Sequence, residues 1–311
     1  MSIPKNQHFV PQGYLKRLVK PDTQVHYAWK DSRIISCTSS KNLCSEIDGY
    51  KLISVPPEDA LLLDTSYKTL WEDNYDEVYK KLVDDREVVI DARLRQLVVG
   101  TVCSLLFRSQ RLKNAVDGLM RQSIAFMANA RGRDGSRPKK AELDGRVYEL
   151  EGKTADELWA EYQANTNNDG LLVQQFITGV RLQEVRSSDA ICVTKVHGTT
   201  GFISSDNPTR IHYPPDAGIV APFNITDVVT LPLNESYRVE LVPAIPNVEL
   251  NRIYRFELSG SEAETEVLDN NIRQFNEAKR IVLGRKSSLE SFFGKVRSRH
   301  DPDVLRVVVA A

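Results

Sequence analysis

The sequence predicts an α+β fold in which a helical bundle packs on a mostly antiparallel β-sheet. Between about residues 58 and 130, apolar side chains recur at spacings of three, four and seven, which is the helical period. From about 189 to 257 the chain changes to short β-branched runs separated by Gly, Pro and Asn, which is typical of strands. Helices and strands are therefore grouped along the chain, whereas an α/β fold would alternate them.

The N-terminal segment, residues 1–57, is predicted to contain a β-hairpin. TQVHYAWKDSRIISC (23–37) alternates between apolar and polar residues and carries a polar KDSR turn in its middle. Residues 39–53 are predicted to form a short helix or loop that runs into a strand.

The helical part spans residues 58–186. LVVGTVCSLLF (97–107) is apolar nearly all round, so we expect this helix in the middle of the bundle. Its eleven residues are about half the roughly 20 that a membrane-spanning helix needs, so no membrane segment is predicted. Residues 131–146 contain glycines, a proline and an excess of basic side chains, which predicts an exposed, mobile basic loop. Thr154 and Glu157 form a capping-box pattern at the start of a later helix.

Residues 187–311 are predicted to form the sheet and the C-terminal helices. The predicted strands are AICVTKV, GFISS, VVTLPL, YRVELVP and RIYRFELS. SEAETEVLDNNIRQFNEAKRIVLG (261–284) predicts one long helix, with Ser261 as its cap and Gly284 at its end. A short helix, SSLESFFGKV, follows, and the tail DVLRVVVAA (303–311) predicts a last strand. No internal repeat divides the chain, so we expect a single domain, residues 1–311.

The composition is that of a globular protein, since 41% of the 311 residues are hydrophobic and 27% are charged. The net charge of −1 excludes attraction of the whole molecule to nucleic acid or membrane, so any basic surface must be local. The four cysteines are irregularly spaced and predict neither a disulfide framework nor a zinc set. We therefore expect a cytoplasmic protein.

Strong catalytic signatures are absent from the sequence, which has no phosphate-binding glycine loop, no H-E-x-x-H and no G-x-S-x-G. Three weaker polar motifs remain. The first is the Gln7-His8 pair of QHFVP, at an end of the chain where residues are usually frayed. His8 is either an acid, base or metal ligand of a site, or a buried histidine that bonds to the backbone.

The second motif, FISSDNPTRIH (202–212), follows a predicted strand. Asp206 and Asn207 either form a turn by bonding their own backbone, or point into a cleft at the edge of the sheet. In a cleft, Asp206 would hold a metal or a proton, and Asn207 would fix an oxygen.

The third motif, FRSQRLKN (107–114), ends the most apolar helix. Arg108 and Arg111 are three residues apart and share a helix face. Buried arginines need carboxylate or phosphate partners. Either these two arginines pair with the acids of WEDNYDE (71–77) and stabilise the bundle, or their guanidinium groups bind a phosphate.

Several segments together resemble domain-of-unknown-function family 4238, a group of soluble bacterial proteins. In order and spacing they are QHFVPQGYLKRL, LLFRSQRLKN, FISSDNP and LPLNESYRVEL. The last helix is similar too, because NNIRQFNEAKRIV has Asn271 seven residues before Ala278, as in the family pattern. The chain departs from that pattern at Gly13, where an aromatic is usual, and at Leu112-Lys113, which replace a Thr-Pro.

The resemblance covers nearly the whole chain and implies a grouping of residues, since the activity of the family is undefined. The polar residues that fall on its motifs are His8, Arg108, Arg111, Asp206, Asn207 and Asn271. Polar residues spread so widely are easiest to explain if they converge in one pocket.

Our first hypothesis is a metal-dependent hydrolase of phosphoester bonds, with nucleic acid as the candidate substrate. Asp206, together with His8, would be catalytic and would hold a divalent metal or activate water. The residues that would bind substrate are Gln7, Arg108, Arg111, Asn207 and Asn271. The basic loop would follow the polynucleotide backbone.

The alternative hypothesis is a non-catalytic protein whose pocket binds a small anionic ligand or a partner peptide. It is favoured by the lack of a second carboxylate beside Asp206, because metal nucleases usually need at least two. A third hypothesis is that the motifs are buried polar networks that fix helix against sheet.

Overall fold

A computed structural model of the chain describes residues 6–19, 24–132, 134–143, 145–165, 168–198, 200–212, 227–243 and 248–298, without the side chains of residues 110–117, 119, 168, 297 and 298. The described residues form an α+β fold, as the sequence predicts. The predicted strand at 303–311 lies outside them.

The helices and strands follow in chain order. The helices are α1 (Gln12–Leu18), α2 (Leu62–Leu70), α3 (Tyr75–Val83), α4 (Ala92–Phe107), α5 (Gln110–Asn129), α6 (Ala155–Asn165), α7 (Asn168–Val185), α8 (Gly260–Glu277) and α9 (Lys286–Ser298). The strands are β1 (Asn6–His8), β2 (Val25–Trp29), β3 (Ile35–Thr38), β4 (Ser45–Ile47), β5 (Lys140–Leu143), β6 (Arg146–Glu149), β7 (Ala190–Val196), β8 (Ser204–Ser205), β9 (Arg210–His212), β10 (Val228–Pro232), β11 (Tyr237–Val242), β12 (Ile253–Leu258) and β13 (Ile281–Gly284).

The larger sheet has five strands in the order β12-β7-β11-β10-β9. Its neighbours are antiparallel except for β12 and β7, which run parallel. The prediction of a mostly antiparallel sheet is therefore confirmed. Strand β9, which directly follows the SSDNPT turn, was not among the predicted strands.

A second sheet has four antiparallel strands in the order β3-β2-β13-β8. Strands β2 and β3 are the two arms of the hairpin predicted over residues 23–37. The strands of the C-terminal part therefore belong to two sheets. The N-terminal strand β1 forms a separate two-stranded pair with β4.

The prediction of one helix over residues 261–284 is wrong at both ends. Helix α8 begins at Gly260, after Ser259 at the N-cap, and it ends at Glu277. The remaining residues form β13, which pairs with β2 and β8. The physical reason is a distant carboxylate: Asp206 accepts hydrogen bonds from the backbone amides of residues 279–281, which a continuing helix would have bonded internally.

The predicted loop 131–146 is shorter than expected, because β5 begins at Lys140. Strands β5 and β6 form an antiparallel hairpin, and Gly145 between them has a φ of 72°, which favours glycine. Apolar residues of the hairpin pack with α5 and α6 in a small separate core. The predicted capping box is confirmed, since Thr154 and Glu157 bond reciprocally at the start of α6.

Helix α4 lies at the centre of the bundle, as its sequence predicts, and nearly all of its residues are buried. The largest apolar cluster runs from α1–α4 and α7 to the inner residues of the five-stranded sheet. Bundle and sheet therefore share one core. Within the described part of the chain, no helix has the length and apolar character needed to cross a membrane.

Helix α4 passes close to its neighbours at Gly100. A Cβ atom built there would overlap the indole of Trp71 and lie 2.7 Å from Oε1 of Gln183. These two side chains bond each other across a distance of 3.0 Å, so neither can move away freely.

We predict that Gly100→Ala destabilises the protein by about 1–3 kcal/mol, because overpacking displaces this pair. Gly118→Ala is the matched control, since a Cβ there meets no atom within 4 Å and glycine is unfavourable inside a helix. Urea unfolding measures both changes. Equal stability of the two variants would contradict this packing.

Candidate functional site

The structure places the residues predicted for the site in two clusters. Gln7, His8 and Arg108 lie together at the N-terminal strand, while the residues of the SSDNP motif lie with Asn271 where α8 meets β8. No hydrogen bond or ion pair between described residues joins the two sets directly. The side chain of Arg111 is outside the described part.

Gln7 is buried on β1 and fixes the turn that follows β4. Its Oε1 accepts a hydrogen bond of 2.5 Å from the backbone amide of Tyr50, while its Nε2 is buried and finds no partner among the described residues. Strand β1 itself is held by β4, since Gln7 lies opposite Glu46 and His8 opposite Ser45. These bonds explain why the N-terminal motif is ordered.

Arg108 follows α4 and is 3% exposed. Its guanidinium donates to the carboxylate of Glu72 and to the backbone carbonyl of His8. It also lies over the rings of Tyr50 and Tyr67, at 4.9 and 4.5 Å from their centroids. Burial works to lower the pKa of Arg108, but Tyr50 and Glu72 outweigh burial and raise it. Arg108 therefore pairs with Glu72, an acid of WEDNYDE. Of the two roles that its sequence motif allowed, this is the structural one.

His8 is half-buried beside this pair. Burial is the main cause that lowers its pKa, Arg108 adds to it, and the backbone at Ser40 and Lys41 opposes it. Its Nε2 is buried and has no hydrogen-bond partner in the described part of the chain. A neutral imidazole next to a closed ion pair is able to take up a proton, but the described residues supply no metal site around it.

Asp206 is buried, and its carboxylate is occupied by backbone. Its oxygens accept from the amides of Lys279 and Arg280 at 2.8 Å and of Ile281 at 3.4 Å. Burial raises its pKa, and these three bonds oppose that rise. Such bonding favours a structural role for Asp206 over the predicted catalytic one, because its lone pairs face amides.

Asn207 and Asn271 join α8 to the strand-and-turn segment 201–208. Nδ2 of Asn207 donates to the carbonyl of Glu277 at 2.9 Å. Asn271 accepts from the amide of Ile203 and donates to the carbonyl of Gly201, at 2.9 and 3.0 Å. Both amides therefore bond to the backbone, and the predicted substrate-binding residues hold helix against sheet here.

A polar pocket of about 300 Å³ lies on the other side of α8, against β9, β10 and β11. The residues that line it are Arg210, His212, Val228, Thr230, Arg238, Glu240, Glu266, Asp269, Asn270 and Arg273. We call it the arginine pocket. It was not predicted from the sequence.

Arg210 is the most unusual residue of the arginine pocket. It is 3% exposed, yet its guanidinium makes one hydrogen bond within the described residues, from Nη1 to the carbonyl of Asn270 at 3.1 Å. Its Nε is buried and has no partner among the residues that the structure describes. Burial lowers the pKa of Arg210 to about 10, and the negative charge of Glu277 opposes that shift. A buried guanidinium without a paired carboxylate is costly.

Two further arginines complete the pocket in different ways. Arg273 bonds to Nδ1 of His212, and burial together with the neighbouring arginines lowers the pKa of that histidine. Arg238, in contrast, pairs with Glu240 at 3.1 Å and with Glu266. The pocket therefore has a cationic end at Arg210 and Arg273, and an acidic end where two carboxylates bond Arg238.

The three arginines come from the segments whose motifs suggested a site. Arg210 is in FISSDNPTRIH, Arg238 in LPLNESYRVEL and Arg273 in NNIRQFNEAKRIV. Each segment thus contributes one cation to one cavity. The Asp and Asn residues predicted for the site lie in two of these segments, and their side chains bond to backbone instead.

The fold and the site define a class of protein: an α+β single chain with an arginine-lined pocket between its long helix and its larger sheet. The chain belongs to the family described as "Protein of unknown function (DUF4238)", whose model matches residues 6–288. No curated protein and no solved structure matches this chain.

The bonding of Asp206 yields a stability prediction. In Asp206→Asn one acceptor becomes an NH₂ group that faces backbone N–H groups, so we expect a loss of about 1–3 kcal/mol. Asp31→Asn, at an exposed position, is the control and should unfold at the wild-type denaturant concentration. If Asp206→Asn keeps full stability in urea unfolding, the carboxylate does not hold this junction.

The ion pair of Arg108 yields a second stability prediction. Arg108→Met leaves Glu72 without its cation and should destabilise the protein by about 3–5 kcal/mol. Arg93→Met breaks a bidentate but exposed pair with Glu77, so its melting temperature should change far less. Similar melting temperatures for both variants would mean that the Arg108 pair is not a brace.

Proposed function

We propose that the protein binds a small anionic ligand in the arginine pocket and does so without chemical conversion. The observation that carries this proposal is Arg210, which is buried, lines the pocket and has no carboxylate within ion-pair distance among the described residues. A buried positive charge of this kind is stabilised by an anion that enters the cavity.

The charges around Arg210 support an anion at the cationic end. Arg273 and Arg238 both act to lower its pKa, which means that the three guanidinium groups repel one another. A phosphate or carboxylate between Arg210 and Arg273 would remove this repulsion. Guanidinium groups are well suited to it, because their planar forks bind both groups through paired hydrogen bonds.

The predicted phosphoester hydrolase remains the alternative, with His8 as its candidate base. Two observations weigh against it: the Asp206 carboxylate is bonded to three amides, and no group of three or more metal-ligating side chains occurs in the described part of the chain. The predicted nucleic-acid contact is also weakened, since Lys139 and Lys140 of the basic segment pair with Glu151 and Glu149.

We also propose a cytoplasmic location for the protein. The four cysteines are free thiols, and three of them are buried. Reduced thiols are the usual state in the cytoplasm.

Anion binding is tested by titrating the protein with inorganic phosphate in a calorimeter and in thermal unfolding. We predict that phosphate raises the melting temperature of the wild type, because a ligand at 100 times its Kd stabilises by about 2.7 kcal/mol. Arg210→Met and Arg273→Met should each weaken binding at least tenfold. Arg252→Met, an exposed arginine outside the pocket, is the matched control and should bind like the wild type.

The melting temperature of Arg210→Met without phosphate shows whether Arg210 serves to bind a ligand or to stabilise the fold. Arg210→Met should melt at or above the wild-type temperature without phosphate, since it removes an uncompensated buried charge. Phosphate binding by Arg210→Met at wild-type affinity would refute the proposal. Cleavage of a phosphodiester by the wild type, lost in a folded His8→Ala variant, would support the hydrolase instead.

A further inference from the structure

We infer that the ligand of the arginine pocket is a monosaccharide phosphate or a similar phosphorylated polyol. This inference rests on the proposed anion binding and names the ligand class. It combines three features of the pocket: its polar lining, its acidic end and its small volume.

The lining is polar almost throughout. Ten of the described residues line the pocket, and among these Val228 alone is apolar and none is Phe, Tyr or Trp. Pockets for drug-like ligands and cofactors are mostly apolar and aromatic, with a few polar groups. These residues therefore offer little apolar surface for a nucleotide base to pack on. They do offer hydrogen-bonding partners for the hydroxyl groups of a sugar.

Two buried oxygens in the lining have unmet hydrogen-bonding capacity. The side-chain Oγ1 of Thr230 and Oδ1 of Asn270 have no partner within the described residues. The amide oxygen of Asn270 can only accept, so it requires a donor. The hydroxyl groups of a sugar supply several donors, whereas a carboxylate has none and the phosphate dianion HPO4²⁻ has a single one.

Three acidic residues of the described chain line the pocket together with the arginines. Glu240 and Glu266 both bond Arg238, which leaves an excess of negative charge around that arginine. Asp269 lies one turn before Arg273 on α8, is exposed, and has no hydrogen bond or ion pair to a described residue. Carboxylates accept hydrogen bonds from hydroxyl groups and repel a second phosphate. The pocket thus suits one phosphate attached to a neutral, hydroxylated body.

The volume of about 300 Å³ is consistent with a small ligand. It lies at the lower end of the roughly 300–1,000 Å³ range of ligand pockets. A pentose or hexose phosphate suits this size better than a dinucleotide or a polynucleotide.

Calorimetry with a graded set of probes tests the inference. The probes are ribose 5-phosphate, glucose 6-phosphate, ribose, inorganic phosphate, AMP and a 5′-phosphorylated oligonucleotide. At least one sugar phosphate should bind at least tenfold more tightly than inorganic phosphate, and ribose alone should not bind.

The variant Asp269→Asn tests whether the acidic residues of the pocket cause the tighter binding of the sugar phosphate. It should weaken the sugar phosphate at least threefold and leave the Kd of inorganic phosphate unchanged or lower. Glu262→Gln, an exposed acid on the same helix but outside the pocket, is the matched control and should bind both probes like the wild type.

The outcomes distinguish the ligand class from the proposed function. If inorganic phosphate binds as tightly as every sugar phosphate, anion binding stands and the sugar-phosphate inference is overturned. If AMP or the oligonucleotide binds most tightly, the ligand is a nucleotide or a nucleic-acid end. If no anion binds, the proposed function fails together with the inference.

Discussion

The carboxylate of Asp206 bonds the three backbone amides that follow α8, and the position of the candidate site depends on this interaction. Those amides would otherwise continue the helix. With them satisfied, the chain turns after Glu277 and enters the second sheet as β13, between β2 and β8. Asn207 and Asn271 then hold α8 along the segment before β9. The helix thereby presents its polar residues to the strands β9–β11, and the arginine pocket is the space between them.

Arg108 and Arg210 show how similar burial leads to different roles. Each is 3% exposed. Arg108 is compensated by a carboxylate, a backbone carbonyl and two aromatic rings, so its charge is balanced within the protein. Within the described residues, the guanidinium of Arg210 bonds one backbone carbonyl, and burial lowers its pKa. The contacts of Arg108 stabilise the bundle, whereas the charge of Arg210 would be stabilised by an anionic ligand.

Local patterns allowed the sequence to predict the α+β class, the β2–β3 hairpin, the central helix α4 and the capping box of α6. Strand β13 could not be predicted, because its residues continue the helical pattern of α8 and the break is imposed by Asp206, some 75 residues earlier in the chain. The site was predicted only as a set of segments. Asp206 and Arg210 belong to one motif, and the sequence does not reveal which of them faces a cavity. In the packed structure, Asp206 meets three backbone amides, while Arg210 lines the pocket.

The most direct test of the account is a crystal of the wild-type protein grown with sodium tungstate, a phosphate analogue that anomalous scattering locates without ambiguity. We predict a tungstate bound between the guanidinium groups of Arg210 and Arg273, because Arg210 is buried and neither arginine forms an ion pair with a carboxylate among the described residues. A tungstate bound only at surface lysines, with the arginine pocket empty, would contradict it.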